Sequence, residues 1–260
     1  MIGVTSGRMA FAKYAGDYLP ITNFKFSSTN NRIKRYLANG GNWPRREAGT
    51  HNSQLSVSGL DFYPNFLDDE ITISVGWLTG SIFDYVDFVG VPVKIDYEFD
   101  FRIGANPPFQ WTISLEGTSE SKDFLTVPEE VINTIFCDVR SCGPITTTDA
   151  SLHSGEVFHV RKAVYSVLFQ RPMRYLANSN NRIAPSTGLY DGVLSFEIEG
   201  DFDYWTDLAE HEDTARVYRI YHGSEYIETP LMSVISVTDL VANVQTGEII
   251  SATVNLGVNS

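Results

Sequence analysis

The sequence predicts an all-β protein composed of two tandem, internally repeated antiparallel domains of the sandwich or barrel type. Three observations predict this fold: apolar and polar residues alternate along many short segments, turn signals separate those segments, and one five-residue word occurs twice. A chain of 260 residues is long enough for two domains of ordinary size. Each domain would then contain about seven or eight strands.

Alternation with a period of two residues is typical of strands that bury one face. It is clear in residues 55–59, 71–75, 109–115, 196–200 and 250–256. Turn-forming residues follow at 104–107 and 245–248, which are GANP and QTGE. The two turns occupy matching positions in the two halves of the chain, so both halves are expected to end on the same kind of hairpin.

The repeated word is RYLAN, at residues 35–39 and 174–178, which gives an offset of 139. A rival word, NNRI, occurs at 30–33 and 180–183 and gives an offset of 150. Only one offset can mark a duplication, so the neighbouring sequence has to decide between them.

Collinearity favours the offset of 139. Upstream, Gly16 falls on Gly155 with an acidic residue following each glycine. Downstream, after a slip of two residues, residues 55–63 fall on 196–204, and the new offset of 141 holds to Ser260. The sequence therefore predicts an internal duplication, and NNRI is a chance match.

This alignment divides the chain into a first repeat at 1–119, a connector at 120–152 and a second repeat at 153–260. The connector is expected to hold a short helix near 128–138. Pro128 suits the first turn of a helix, and Glu129 and Glu130 favour its N-terminus.

The net charge of −13 argues against nucleic-acid binding through phosphate contacts, which require lysine and arginine. The first residues lack the pattern of a signal peptide. The longest apolar region, 71–95, is interrupted by Asp84, Asp87 and Lys94, so we expect no membrane span. Two cysteines are too few for a zinc site and indicate reduced thiols in a protein made in a cytoplasm.

No enzyme motif is recognisable, so we expect no enzymatic activity, no metal and no cofactor. The five histidines lack metal-ligand spacing. The carboxylate pairs Glu197/Glu199 and Asp201/Asp203 are spaced to lie on one face of one strand. A glycosidase needs two carboxylates facing each other, usually from different strands, so this spacing predicts a solvated acidic face.

Charge divides unevenly between the halves. Residues 1–119 contain 10 basic and 12 acidic residues, whereas residues 155–260 contain 7 and 14. Residues 197–213 include eight acids and no lysine or arginine, whereas basic residues cluster within the loop at 30–50. Two copies that keep a fold and diverge in charge are expected to occupy related but non-identical positions in an assembly.

The first 63 residues resemble the tail tube proteins of long-tailed bacteriophages. The resemblance lies in the pattern YAGDYLPITNFKF at 14–26, a polar loop with Gly41 and Trp43, and LSVSGLDFY at 55–63. It implies a β-sandwich or barrel whose sheets join side by side into rings, which stack into a tube around the DNA path. Family members commonly contribute one domain per chain and six chains per ring, so a duplicated chain implies trimeric, pseudo-hexameric rings in the virion tail.

The resemblance also implies partners and sites. The partners would be further copies of the chain and other tail proteins (terminator, baseplate and tape measure), and DNA would pass without specific binding or membrane contact. Candidate residues of an acidic lumen are Glu197, Glu199, Asp201 and Asp203. Candidate contacts between stacked rings are Arg32, Lys34, Arg35, Trp43, Arg45 and Arg46.

Two alternatives stay open. Another tail or baseplate component would form one ring without stacking. A tandem carbohydrate-binding adhesin would use aromatic side chains such as Trp43, Trp77, Tyr204 and Trp205 to stack on sugars, although Trp111 alternates in phase with core residues.

Overall fold

The structure of this chain is a computed structural model. The residues it describes are 10–30, 33–35, 45–47, 51–60, 70–79, 82–102, 105, 108–126, 142–147, 155–157, 159–170, 174–175, 182–183, 189–210, 215–241 and 251–259.

The described residues are predominantly β-strand, which confirms the all-β prediction, and the sheets are antiparallel. The strands of the first half are β1 (Ala10–Tyr14), β2 (Asp17–Leu19), β3 (Ile21–Asn30), β4 (Ile33–Arg35), β5 (Arg45–Glu47), β6 (His51–Leu60), β7 (Ile71–Thr79), β8 (Ile82–Asp100) and β9 (Phe109–Thr126). Those of the second half are β10 (Cys142–Thr147), β11 (Glu156–Val157), β12 (Val160–Gln170), β13 (Arg174–Tyr175), β14 (Arg182–Ile183), β15 (Leu189–Ile198), β16 (Tyr218–His222), β17 (Glu225–Glu228), β18 (Met232–Val241) and β19 (Ser251–Val258). One helix, α1 (Phe202–Glu210), lies between β15 and β16.

The first nine strands pair in a fixed pattern. β1 pairs with β2 and β7, β7 with β8, β8 with β9, β9 with β6, and β6 with β3. β4 and β5 form a separate two-stranded ribbon. The β3–β6 hairpin stays in register from Phe24 opposite Val57 to Asn30 opposite His51, so the predicted loop at 30–50 begins where this pairing ends.

The last ten strands pair in the same order. β10 pairs with β11 and β16, β16 with β17, β18 with β19, β19 with β15, and β15 with β12, while β13 and β14 form a separate ribbon. The two patterns match when β17 and β18 together take the place of β8. A break before Met232 separates β17 from β18, and Pro230 lies within it, where the missing N–H removes a ladder donor.

One further pairing joins β12 to β8. β8 has room for this partner because it is 19 residues long and pairs with β7 only from Ile82 to Gly90. Pro92 lies just beyond that stretch and is buried within the strand. A residue without an N–H fits at a point where the edge of a strand changes partner.

The chain forms two compact units that are not contiguous in sequence. The first comprises Met1–Lys94, Ile113–Phe136 and Phe169–Leu189, and the second Ile95–Thr112, Cys137–Leu168 and Tyr190–Ser260. The division into 1–119, 120–152 and 153–260 stays a prediction, since it concerns the origin of the sequence rather than its compactness. β9 runs to Thr126 and β10 lies within the predicted connector, so the connector contributes strands.

Each unit buries the apolar residues of alternating positions, as the sequence pattern predicts. Fully covered side chains of the first unit include Leu55, Val57, Ile73, Val75, Phe88 and Ile113. Those of the second include Ile95, Phe99, Trp111, Phe196, Trp205, Tyr218 and Val254. The predicted helix near 128–138 lies outside the described residues. Within the described residues, no helix is long and apolar enough to cross a membrane.

Candidate functional site

The junction between β8 and β12 is held by backbone and side-chain contacts of a single antiparallel register. The Phe101 amide donates to the carbonyl oxygen of Arg161 at 2.9 Å. Five residues away on each strand, the Ser166 hydroxyl donates to Oδ1 of Asp96 at 2.6 Å. Because both contacts fit one register, Asp96 lies opposite Ser166.

Two side-chain pairs reinforce this junction on opposite faces of the sheet. Tyr97 and Tyr165 stack on the buried face, with ring centroids 6.2 Å apart and an interplanar angle of 17°. On the polar face Lys162 forms an ion pair with Glu98. A partly exposed pair of this kind contributes at most about 1 kcal/mol, so the backbone ladder and the buried rings do most of the joining.

The largest sheet ends at three strands, β2, β3 and β18, of which β3 and β18 correspond by pairing order to β12 and β8. β18 pairs with β19, and at its first residue, Met232, it also exchanges two backbone hydrogen bonds with Arg216. β3 pairs with β6. No strand pairs with the other edge of β3, or with that of residues 233–241 of β18, in the part of the chain that the structure describes. Unpaired edges are templates for another strand.

The exposed apolar residues of the second unit concentrate beside one of these edges. Ile235 in β18 is 64% exposed, the largest exposure among the apolar side chains described. Leu231, which directly precedes β18, and Val258 in β19 are also exposed. Exposed apolar side chains beside an open edge are typical of surfaces that bind another chain.

The face of the sheet opposite the core is polar and carries more carboxylates than cations. In β8, Asp96, Glu98 and Asp100 alternate with buried Ile95, Tyr97 and Phe99, because successive side chains point to opposite faces. The Arg102 guanidinium donates hydrogen bonds to Asp100 and lowers the pKa of that carboxyl. This acidic row is not among the predicted site residues, although the alternation at 94–100 is present in the sequence.

Two of the predicted lumen residues, Glu197 and Glu199, share one cation. Nε of Arg161 lies 2.9 Å from Oε1 of Glu199, and its Nη1 lies 3.7 Å from Oε1 of Glu197. Glu197 alternates with buried Phe196 and Ile198, so it lies on the polar face of β15. Arg161 therefore offsets part of the charge that the sequence assigns to this face.

The other two predicted lumen residues do not belong to that strand. β15 ends at Ile198 and α1 begins at Phe202, so the expectation that Asp201 and Asp203 share one strand face is wrong. Asp201 adopts a left-handed φ of 57°, and its carbonyl accepts the first helical hydrogen bond, from Trp205 at 3.1 Å. Asp203 lies in the first turn, where a carboxylate complements the helix dipole.

The basic residues of the 30–50 loop form part of a ribbon. β4 pairs with β5, with Lys34 opposite Arg46 and Arg35 opposite Arg45. Arg32 and Trp43 lie outside the described residues.

A cysteine and a histidine lie opposite each other where β10 pairs with β16. Cys142 is the register partner of His222, whose side chain is fully buried and packs on Phe109 with ring centroids 4.7 Å apart. Burial raises the pKa of the Cys142 thiol to about 12, and the thiol donates to the carbonyl oxygen of Pro108 at 2.9 Å. A nucleophilic cysteine needs to be a thiolate, so this pair is structural at neutral pH.

Comparison with known proteins adds no identification. No family model matches the chain, and no curated protein matches its sequence. The described residues contain no group of three or more histidine, cysteine or carboxylate side chains that could hold a metal ion.

Proposed function

We propose that this protein is a self-assembling structural subunit of a bacteriophage tail tube, in which three duplicated chains form a pseudo-hexameric ring and the rings stack. The observation that carries the proposal is the junction inside the chain. Two sets of strands with the same pairing order join through β8 and β12, and strands equivalent to β8 and β12 remain at the ends of the sheet.

The repeated pairing order supports a duplication. A glycine with a positive φ lies just before the second strand of each half, at the aligned position. These are Gly16, with a φ of 99°, and Gly155, with a φ of 92°. Such a φ is rare for other residues, so its recurrence at the offset of 139 favours a common origin over chance.

Hydrogen bonds also refine the alignment of the two copies. The Leu60 amide donates to Pro20 at 2.9 Å, and the Glu199 amide donates to His159 at 2.8 Å. Both members of the second pair follow those of the first by 139 residues. β6 therefore matches β15 without the predicted slip of two residues, which falls later in the chain.

The second support for the proposed ring is that the two proposed repeats join head to tail. An interface between two different surfaces of one molecule produces a closed ring or an open filament. The chain already joins one copy to the next through two different surfaces, β8 of the first and β12 of the second. The same step between chains would extend the sheet, and closure after three chains would give six equivalent places.

The polar face of the sheet supports the lumen part of the proposal. Carboxylates repel the phosphates of DNA, so an acidic channel lets the polymer slide without sticking. Asp96 and Glu98 on β8 join Glu197 on β15, and Glu199 just after that strand, as candidate lumen residues. The basic ribbon of β4 and β5 is the candidate contact with the acidic surface of the next ring.

The carbohydrate-binding alternative has less support. Trp111 and Trp205 are 0% and 1% exposed, so neither offers a face to a sugar. Trp77 packs against Phe24 with ring centroids 6.3 Å apart. An adhesin would need its aromatic platform elsewhere.

Electron microscopy of the purified chain tests the proposal. Class averages are expected to show rings with six similar lobes and three-fold repetition, together with stacks of such rings at high protein concentration. Single rings that never stack would favour a baseplate or completion component instead. A monomer in sedimentation velocity at the highest attainable concentration would contradict self-assembly altogether.

A further inference from the structure

We infer that the open edge of β18 in one copy of the chain pairs with the open edge of β3 in a second copy, in the register that β8 and β12 form within one chain. This inference rests on the proposed assembly and names the strands, residues and register of its contact. It follows from the equivalence of β3 with β12 and of β18 with β8.

The equivalence of β3 with β12 is fixed by the residues that precede the strands. Pro20 and His159 accept corresponding backbone hydrogen bonds and differ by 139 positions. β3 has a bulge between Ile21 and Asn23, and β12 changes phase at the corresponding place, since Arg161 contacts Glu199 on the polar face whereas Ala163 is buried. The same offset therefore carries Ser166, which contacts Asp96 at the internal junction, onto Ser27. A serine thus occupies both positions.

The position equivalent to Asp96 follows from the neighbouring strand. The Asp100 amide donates to the carbonyl oxygen of Pro108 at 2.7 Å, and this antiparallel register places Asp96 opposite Thr112 in β9. Residues of β9 and β19 share one buried alternation, and close contacts with the neighbouring strands fix the offset at 141. A Cβ at Gly117 would meet Ser53, and a Cβ at Gly192, the equivalent of Ser53, would meet Val258. Thr112 therefore corresponds to Thr253.

Thr253 pairs with Thr238. Thr238 therefore takes the place of Asp96 on the open edge of β18, and Ser27 of a second copy is its partner. The sequence offset of 141 alone would place residue 237, rather than 238, at the position of Asp96. The difference of one residue arises because β18 gains a residue against β19 between Val234 and Ser236. Without that bulge the predicted pairing would bring opposite faces of the sheet together.

The side chains brought together in this register are compatible. Thr238 meets Ser27, and two residues away Ser236 meets Thr29, so hydroxyl groups oppose hydroxyl groups along one face. Such pairs form hydrogen bonds across antiparallel strands. The exposed Ile235 lies at the bulge and would be covered by the incoming strand.

Cysteine cross-linking between two different single variants tests the register. Ser27→Cys and Thr238→Cys are purified separately, mixed before assembly and oxidised mildly. Asp96 and Ser166 occupy a position between hydrogen-bonded pairs of the ladder, where a disulfide fits. We expect a covalent dimer containing one chain of each variant, with little dimer from either variant alone.

The matched control replaces Ser27→Cys by Ser28→Cys, which points to the opposite face and is expected to lose most of the cross-link. The parent, with Cys137 and Cys142 only, gives the background. In the double variant Ser27→Cys/Thr238→Cys, covalent multimers should extend to the number of chains in a ring and no further.

The outcomes separate this inference from the proposed function. Rings without the expected cross-link, or with a stronger Ser28→Cys cross-link, would overturn the register while leaving self-assembly intact. Absence of any oligomer in the parent would overturn both. A fast-migrating monomer in the double variant would show that the two positions meet within one chain, which also contradicts the inference.

Hydrogen exchange gives a second test that needs no substitution. On assembly, the outward amides of Ile21–Asn30 and of residues 233–241 should exchange at least tenfold more slowly, whereas those of α1 should not change. Unchanged exchange at both edges in assembled protein would contradict the pairing.

Discussion

The two proposed repeats build the same strand pairings around different side chains. Repeat 1 (1–119) has Trp111 in β9, fully buried, where repeat 2 (153–260) has Ala252 in β19. Repeat 2 instead brings Trp205 from α1 against Phe196, with ring centroids 5.8 Å apart. The pairing order therefore depends on backbone ladders and alternation, while the aromatic volume that fills a core can come from different elements.

The largest expected effect comes from making repeat 1 resemble repeat 2 at this position. Trp111→Ala should lower the free energy of unfolding by about 3–5 kcal/mol, because it removes a fully buried indole. Denaturant titration measures the loss, with the exposed Gln110→Ala as the control. A loss below about 1 kcal/mol would mean that the indole contributes little to the core of the second unit.

The paired glycines provide the next comparison. Alanine at either Gly16 or Gly155 is expected to cost about 1–2 kcal/mol, since both adopt a positive φ. Gly155→Ala should cost more, because its Cβ would lie 3.1 Å from the carbonyl oxygen of Thr147, whereas a Cβ at Gly16 meets nothing within 4 Å. Thermal unfolding of both variants would contradict this order if Gly16→Ala were the more destabilising.

A smaller effect is expected at the internal junction. Lys162→Ala removes the ion pair with Glu98 and should cost at most about 1 kcal/mol, since both groups are partly exposed. The exposed Lys25→Ala on β3 is the matched control. A loss above about 2 kcal/mol, measured in denaturant at low and high salt, would show that the ion pair rather than the backbone ladder holds β8 to β12.

The smallest effect is absent at neutral pH and appears only in alkali. Burial raises the pKa of both Cys142 and Tyr165 to about 12. The unfolded thiol loses its proton near pH 9, so the stability contributed by the buried neutral thiol is complete below that pH and falls as the pH rises toward about 12.

Unfolding curves between pH 8 and 11 test this loss of stability in alkali. Cys142→Ala should flatten the alkaline decline relative to the parent, whereas Tyr190→Phe, at an exposed tyrosine, should leave it unchanged. An identical decline in Cys142→Ala and the parent would place the responsible group elsewhere.

Much of the fold could be predicted because alternation reports directly which residues face a core. The segments at 55–59, 109–115 and 250–256 correspond to β6, β9 and β19 or adjoin them. The predicted alignment of the repeats at β15 differs by two residues from the one that the hydrogen bonds favour, because a shift by two keeps every side chain on its face and leaves the pattern unchanged. Only the hydrogen bonds of Leu60 and Glu199 distinguish the two alignments.

The site was less predictable. The acidic residues at 197–203 follow one spacing but divide between a strand and a helix, because Trp205 and Leu208 make 202–210 amphipathic with a helical period. The pairing of β8 with β12 joins residues about 70 positions apart, as Ser166 and Asp96 show. Local patterns carry no information about such partners.

The β8–β12 junction also changes how an assembly would begin. Two copies held on one chain meet at an effective concentration in the millimolar range, however dilute the protein is. Half of the six junctions in a three-chain ring would then exist before any two molecules collide, so only three encounters need to be stabilised. The concentration at which rings appear would depend on the β18–β3 contact alone, and a single residue at that edge could set the timing of tube growth.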